Sequence, residues 1–156
     1  EDYYLRPSEV GYGRFVDLDH DFVGRDALAE AGDPERTLVT LEWDSEDVVD
    51  AYASLFDEGP TQKFVDLLVP RWAAVHYDEV RKDGEMVGVS KWGSYIYNER
   101  AMLSLAAVDA DLSDPGTEVT VLWGDPSESH RSAVEDHVQT EITATVAPVP
   151  YSEDRR

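Results

Sequence analysis

Cysteine is absent from this 156-residue chain, and lysine occurs only at positions 63, 82 and 91. The lack of cysteine excludes disulfide bonds, thiolate nucleophiles, iron–sulfur clusters and thiolate zinc sites together. It is compatible with the reducing cytosol, and we expect a cytoplasmic protein. The scarcity of lysine leaves 13 basic residues against 34 acidic ones, which gives a formal net charge of −21.

The chain also lacks a long apolar run. No stretch approaches the roughly 18 consecutive apolar residues that span a bilayer, so a membrane segment is not predicted. The first residues, EDYYL, contain no basic stretch followed by an apolar one, and we do not expect a signal peptide there. Because the first residue is not methionine, we expect position 1 to be a cut, a processing point or the edge of an incomplete reading frame.

Acidic residues are spread along the whole chain. A surface of this kind repels phosphate backbones and anionic lipid heads, so we expect neither nucleic acid nor a membrane as a partner. Many acids with few lysines also indicate adaptation to high salt, where self-repulsion is screened because the Debye length falls to about 3 Å at 1 M. The charge balance therefore favours a halophilic protein over an ordinary acidic one.

Alternating apolar residues predict a mainly β fold. The pair Asp83-Gly84 is the two-residue signal for a type I′ hairpin turn between two further strands. We therefore predict a closed barrel or jelly roll of about six strands, with a short α/β lead-in and one helical insertion. The clearest predicted strands cover residues 37–43, 101–109, 117–123 and 138–146.

The lead-in and the insertion carry the predicted helices. Residues 12–18 are expected to form a short strand, and Asp21 to cap a helix over residues 22–31. Ser45, followed by two acids, starts a second helix that runs to Gly59-Pro60. The remaining segments are a short helical turn at residues 63–68 and a long exposed hairpin connection at residues 125–136.

An EF-hand calcium loop begins in this sequence and is not completed. Asp17, Asp19 and Asp21 occupy its first three ligand positions. The sixth position is Phe22 instead of glycine, and the twelfth is Leu28 instead of glutamate. A calcium cage needs both the sharp turn and the closing carboxylate, so no metal site is predicted.

Other catalytic and binding motifs are equally incomplete. Residues 11–13, GYG, can open a dinucleotide fingerprint, but Val16 replaces the third glycine and a strand is predicted where a helix is required. Trp92 replaces the second glycine of a nucleophile elbow. The four histidines show no ligand spacing, and His137 is expected on the solvent-facing side of the last strand. No residues form a nucleophile–base or acid–base constellation, so no catalytic residue is predicted.

Residues 92–100, WGSYIYNER, form the cluster most suited to binding a ligand. Trp92, Tyr95 and Tyr97 supply aromatic rings and Arg100 supplies a cation, in a predicted loop between two apolar strands. Such a surface can stack on a planar heterocycle and hold a carboxylate through arginine. The alternative is that the rings fill the barrel mouth while Arg100 pairs with a local acid, since buried aromatics are common in barrels.

Residues 11–28, GYGRFVDLDHDFVGRDAL, resemble the junction before the C-terminal barrel in the glycine-cleavage T-protein (aminomethyltransferase) family. In that family a strand and a short F-[VI]-G-R-[DE]-A-L helix lead out of the folate-binding region. Three later segments are similar to one branch, the tetrahydrofolate-dependent aryl-ether O-demethylases of the vanillate and syringate type. These segments are YIYNERAMLSL at 95–105, GTEVTVLWGDP at 116–126 and HVQTEITATVAPVPY at 137–151.

The resemblance implies a C1 transferase that moves a methyl or aminomethyl group onto tetrahydrofolate. Residues 1–35 would be the tail of its folate-binding region, and residues 36–156 a C-terminal β-barrel domain that walls the folate cleft. The implied partners are an N-terminal folate-binding domain and a small-molecule methyl donor. The family's catalytic groups lie mainly in the N-terminal region, so this chain alone is expected to be inactive.

Within this chain, Trp92, Tyr95, Tyr97 and Arg100 are the expected cofactor contacts. The alternative from a different class is a free-standing, non-catalytic module that binds a partner protein or a small heterocycle.

Overall fold

Six antiparallel strands form a closed barrel in the order β1-β4-β3-β2-β5-β6. The computed structural model describes residues 3–68, 77–126 and 135–152. The prediction of a mainly β fold with a closed barrel is confirmed. The strands are β1 Arg36–Trp43, β2 Tyr77–Lys82, β3 Glu85–Ile96, β4 Ala101–Asp109, β5 Glu118–Trp123 and β6 Thr140–Ala147, and the α-helices are α1 Arg25–Glu30 and α2 Ser45–Ala53.

Strand β1 closes the barrel because it pairs with both β4 and β6. Thr37 lies opposite Val108 of β4, while Leu41 lies opposite Val146 of β6. Each of the six strands therefore has a hydrogen-bonded neighbour on both sides. None of the helices in the described ranges is long and apolar enough to cross a membrane.

The barrel interior is filled by side chains that alternate along the strands. Leu41, Val80, Val108, Val121 and Ile142 come from five different strands and are fully buried. Period-two alternation places one set of side chains inside and leaves the intervening set on the outer surface. Burying each such side chain contributes about 1.5–3 kcal/mol relative to leaving it in water.

Two tryptophans and a short polar network also lie in this interior. The rings of Trp43 and Trp123 meet edge to face, with centroids 5.6 Å apart. The Trp43 Nε1–H donates to Ser104 Oγ at 2.9 Å, and the Ser90 hydroxyl donates to the same oxygen at 2.8 Å. The Trp123 Nε1–H donates to the backbone oxygen of Lys63 at 2.9 Å. The buried indole N–H groups are thus hydrogen-bonded.

Helix α2 begins at Ser45, as predicted, and Asp44 is its cap. The Asp44 carboxylate accepts hydrogen bonds from the backbone N–H groups of Glu46 and Asp47. Asp47 in turn accepts from the Thr143 backbone N–H at 2.7 Å, which fixes the helix to β6. The helix ends at Ala53, well before the glycine and proline that were expected to stop it.

The hairpin prediction is confirmed. Asp83 and Gly84 both have positive φ, 52° and 84°, as a type I′ turn between β2 and β3 requires. The strand predicted at residues 101–109 is β4 itself, and those predicted at 37–43 and 117–123 differ from β1 and β5 by one residue.

The predicted lead-in elements are wrong in part. Residues 12–18 do not form a strand; they follow a turn at Gly11, with φ of 83°, and include the 3-10 helix Gly13–Phe15. In a closed barrel every strand already has two neighbours, so a further strand has no edge to join. The predicted helix is shortened to α1, which starts after Gly24 with no side-chain cap, so Asp21 does not cap it.

The residues before β1 are fixed to the barrel by the buried Glu9 side chain. The Glu9 carboxylate accepts hydrogen bonds from the backbone N–H of Arg6 at 2.8 Å and from the backbone N–H of Arg36 in β1 at 3.3 Å. The Arg6 guanidinium donates to the Ala31 oxygen at 2.9 Å. These bonds connect the first turn, the end of α1 and the start of the barrel.

The helical turn predicted at residues 63–68 is also wrong. This segment has no helix; Gln62 forms a parallel bridge with Val138, and the Lys63 and Val65 side chains are buried. Long-range contacts with the barrel therefore override the local helical pattern. Val138 itself is exposed, so the buried face of the last strand begins later than predicted. Residues 127–134 of the predicted hairpin connection lie outside the described residues.

We expect the Ser104→Ala variant to lose about 1–3 kcal/mol of unfolding free energy, because it leaves the Trp43 N–H and the Ser90 hydroxyl buried without their shared acceptor. Urea unfolding followed by tryptophan fluorescence measures this loss. Ser45→Ala is the matched control at an exposed first helical position, and it should change stability by much less. Equal stability of the two variants would show that the hydroxyl network does not support the core.

Candidate functional site

The 92–100 segment is only partly a loop. Strand β3 continues to Ile96, and residues 97–100 form the turn into β4. A β-bulge interrupts the β3–β4 register between Lys91 and Ser94. Within it Trp92 has φ of 58°, a conformation that bulky residues rarely adopt. The loop prediction is thus wrong for the first five residues of the segment.

The four predicted contact residues lie at the end of β3 and in the turn that follows it, and Tyr95 lies opposite the core residue Met102, on the inward-facing side of the strand. Trp92, Tyr95 and Tyr97 are 42%, 39% and 79% exposed, and Arg100 is exposed in the turn with φ of 53°. The alternative in which these rings fill the barrel mouth is wrong for the largely exposed Tyr97 and stays a prediction for Tyr95. The structure brings the four residues to one strand end and its following turn, and their role as cofactor contacts stays a prediction.

Lys91 adjoins this segment, and sequence reasoning missed it. Its side chain is only 9% exposed, and its Nζ lies 4.4 Å from the centroid of the Trp92 ring. Desolvation lowers the pKa of the Lys91 ammonium below its usual value. Lys91 lines an outer pocket of about 420 Å³ together with Tyr3, Tyr4, Leu5, Val10 and Tyr77.

A second charged cluster lies near Trp123. The Lys63 Nζ is 3.0 Å from Asp125 Oδ2, with both side chains largely buried, and 5.2 Å from the centroid of the Trp123 ring. A buried ion pair of this kind needs a favourable geometry to offset the loss of hydration. Lys63 and Asp125 are 62 residues apart in sequence, and no local pattern pairs them.

Asp78 belongs to the same cluster. It lies opposite Ser90 and two residues before the buried Val80, so it lies on the inward-facing side of β2. Burial raises the pKa of Asp78 to about 7, assisted by the Asp125 charge and opposed by the Lys63 charge. A carboxyl that holds its proton near neutral pH can donate a hydrogen bond or a proton. One sequence signal could have located Asp78. It lies two residues before the apolar Val80, and alternate residues of a strand share a face.

His137 is not simply solvent-facing, contrary to the prediction. Its Nε2 accepts a hydrogen bond from the Asp125 backbone N–H at 2.7 Å, and its Nδ1 lies 2.8 Å from the Glu135 oxygen. Both ring nitrogens are therefore engaged in holding the chain beside Asp125. Within the described ranges, no group of three or more metal-ligating side chains is placed to hold a metal ion.

Two curated relatives match this chain over almost its whole length. Syringate O-demethylase from Sphingobium sp. (strain NBRC 103272 / SYK-6) is 44% identical over 154 residues, which is 97% of this chain. Sesamin methylene transferase from Sinomonas sp. (strain No.22) is 34% identical over 160 residues, 95% of this chain. The chain spans about one third of the length of each relative. No protein-family model matches it.

These observations define a closed β-barrel that is similar to one third of an O-demethylase and of a methylene transferase. The chain belongs to the family of syringate O-demethylase, and the resemblance carried by residues 11–28 and the three later segments is confirmed.

We expect the stability of the chain to fall as pH rises through the range from 3.8 to about 7, because folded Asp78 keeps a proton that the unfolded chain releases. In the Asp78→Asn variant this part of the decline should be absent, so its stability relative to the wild type should grow with pH. Urea unfolding at several pH values between 4 and 8 measures the difference.

Asp114→Asn is the matched control, because it removes the same charge from an exposed turn. Its stability difference from the wild type should not grow through this range. Parallel curves for the wild type and Asp78→Asn would contradict a raised pKa at Asp78.

Proposed function

We propose that this chain is the C-terminal barrel domain of a tetrahydrofolate-dependent methyl or aminomethyl transferase of the O-demethylase type. The observation that carries this proposal is the 44% identity over 97% of the chain to one third of syringate O-demethylase. The other two thirds of such a protein are long enough for a folate-binding region and a methyl-donor site. In this proposal residues 1–35 are the tail of that region and residues 36–156 the barrel.

The 92–100 segment would form part of the wall of the folate cleft. The Trp92 and Tyr97 rings are exposed, so they are accessible to a flat heterocycle such as a pterin. Arg100 stands in the turn beside them, where its guanidinium can hold a carboxylate through two parallel hydrogen bonds. Tetrahydrofolate carries both kinds of group, which supports its assignment as the cofactor of the whole enzyme.

Transfer of a methyl group from an aryl ether needs a proton for the departing oxygen and a fixed orientation of the folate nitrogen. The exposed 92–100 segment offers binding groups and no proton relay. We therefore assign this chain an orienting role and place the proton transfer and the methyl donor in the N-terminal part of the enzyme. A cytosolic location and adaptation to high salt belong to the same proposal, supported by the lack of cysteine and the charge of −21.

A free-standing binding module is the second candidate. It is favoured by the closure of the barrel around its own core, which does not require another chain to complete the sheet. Such a module would use the same exposed aromatic rings to bind a partner protein or a small heterocycle.

In the intact enzyme, we expect Trp92→Ala and Arg100→Ala each to raise the KM for tetrahydrofolate by about tenfold with little change in kcat, because they remove binding that is shared by ground and transition states. Steady-state kinetics with varied folate measures this effect. Phe56→Ala removes an exposed ring outside the segment and should leave both constants unchanged. Wild-type kinetics in both test variants would remove the 92–100 segment from the folate cleft.

The two candidate functions predict native polypeptides of different sizes. If the chain is the barrel of a transferase, an antibody against it should detect a polypeptide about three times its length in the source cells, by comparison with the relatives. A band at 17.5 kDa would instead support the free-standing module. Immunoblotting of a fresh lysate, with protease inhibitors present, makes the measurement.

A further inference from the structure

The β-bulge in β3 brings the side chains of Lys91 and Trp92 together. In a regular strand neighbouring side chains point to opposite faces, so these two would not meet. Here the Lys91 Nζ lies 4.4 Å from the centroid of the Trp92 ring. We propose that Lys91 is a positioning residue, whose ammonium holds the Trp92 ring in the orientation in which it stacks on folate. The inference rests on the proposed role of Trp92 in the folate cleft.

The register of the bulge explains why Trp92 is displaced. Two residues of β3, Trp92 and Gly93, lie opposite the single β4 residue Ser104, which is the arrangement of a β-bulge. Gly93 takes the inward place, where a Cβ would lie 3.3 Å from the ring of Trp43 in the core. The larger residue of the pair, Trp92, is therefore the one turned outward, with φ of 58° and its side chain 42% exposed.

An exposed ring needs a contact that fixes its orientation. Among the described residues, Lys91 is the one cation that contacts the Trp92 ring, and no other aromatic ring packs against it. Ordering a mobile side chain during binding lowers affinity, and a ring that is already held avoids this loss. The Lys91 contact therefore prepares Trp92 for a flat ligand.

Lys91 is itself fixed and available to the ring. It is only 9% exposed, and among the described residues no carboxylate forms an ion pair with it. The N-terminal segment (residues 3–5) lines the same pocket as Lys91. A cation that is largely removed from water interacts more strongly with an aromatic face than an exposed one does. The buried lysine can thus restrain the exposed tryptophan.

The contact can be measured by NMR in the 156-residue chain with isotope-labelled lysine, because lysine occurs at only three positions. We expect the Lys91 Cε protons to resonate upfield of those of Lys82, because the Trp92 ring current shields them. Lys91→Arg identifies the signal by removing it, and Trp92→Ala should return it to the Lys82 position. Lys63, whose Nζ is 5.2 Å from the centroid of the Trp123 ring, is the internal control and should not move in Trp92→Ala. A Lys91 signal that is unaffected by Trp92→Ala would overturn the proposal.

In the intact enzyme, Lys91→Met keeps a long apolar side chain without the charge. It should raise the KM for tetrahydrofolate by about threefold or more with kcat unchanged. Lys91→Arg keeps a cation that can stack on the ring, and it should restore a KM close to that of the wild type. Adding Lys91→Met to Trp92→Ala should raise the KM no further than Trp92→Ala alone, because Lys91 acts through the ring.

Lys82→Met is the matched control, because it removes the same charge from β2, where the Lys82 ammonium donates to the Glu118 backbone oxygen. It should leave the KM unchanged. If Trp92→Ala raises the KM and Lys91→Met does not, or if the two effects are additive, Lys91 is not a positioning residue.

Failure of the proposed function gives a different result. If neither Trp92→Ala nor Lys91→Met changes the KM, the folate cleft lies elsewhere, and the response of the Lys91 signal to Trp92→Ala decides whether Lys91 holds the ring. The same NMR comparison decides the matter if Lys91→Met does not fold.

Discussion

The edge-to-face contact between Trp43 and Trp123 determines much of the structure around it. The two rings come from β1 and β5, which are not neighbours in the sheet, and each ring carries an N–H that must find an acceptor. Ser104 accepts one of these bonds from within the barrel, and the backbone of Lys63 accepts the other. The second bond draws the segment after α2 against the barrel and places the Lys63 ammonium beside Asp125.

Charge inside and outside the barrel is organised by different means. The inner cluster neutralises Lys63 with Asp125 and leaves Asp78 as a carboxyl with a raised pKa. On the outer surface, Lys91 is buried next to an aromatic ring and has no acid as a partner within the described part of the chain. The pocket beside Lys91 is lined mainly by aromatic and aliphatic side chains, and Tyr3 of this lining donates a hydrogen bond to Glu79.

Sequence reasoning located the elements whose signal is local and periodic. The alternation in β1 and the Asp83-Gly84 turn specify strands and a hairpin through adjacent residues alone. It failed for residues 12–18 and 63–68, whose conformation depends on whether a strand edge or a barrel wall is available. The 92–100 segment was identified from its composition, but the bulge at Trp92 arises from pairing with β4, and Lys91 lies beside the N-terminal segment. No local pattern reveals either relation.

The closed sheet limits how this chain can attach to anything else. A strand with an unpaired side can accept a strand from another chain through backbone hydrogen bonds, and none of the six described strands has such a side. Docking onto the barrel wall must therefore be achieved by side chains, whose identity can be altered by single substitutions without disturbing the sheet. Specificity for a neighbouring domain can consequently change during evolution while the barrel itself stays the same.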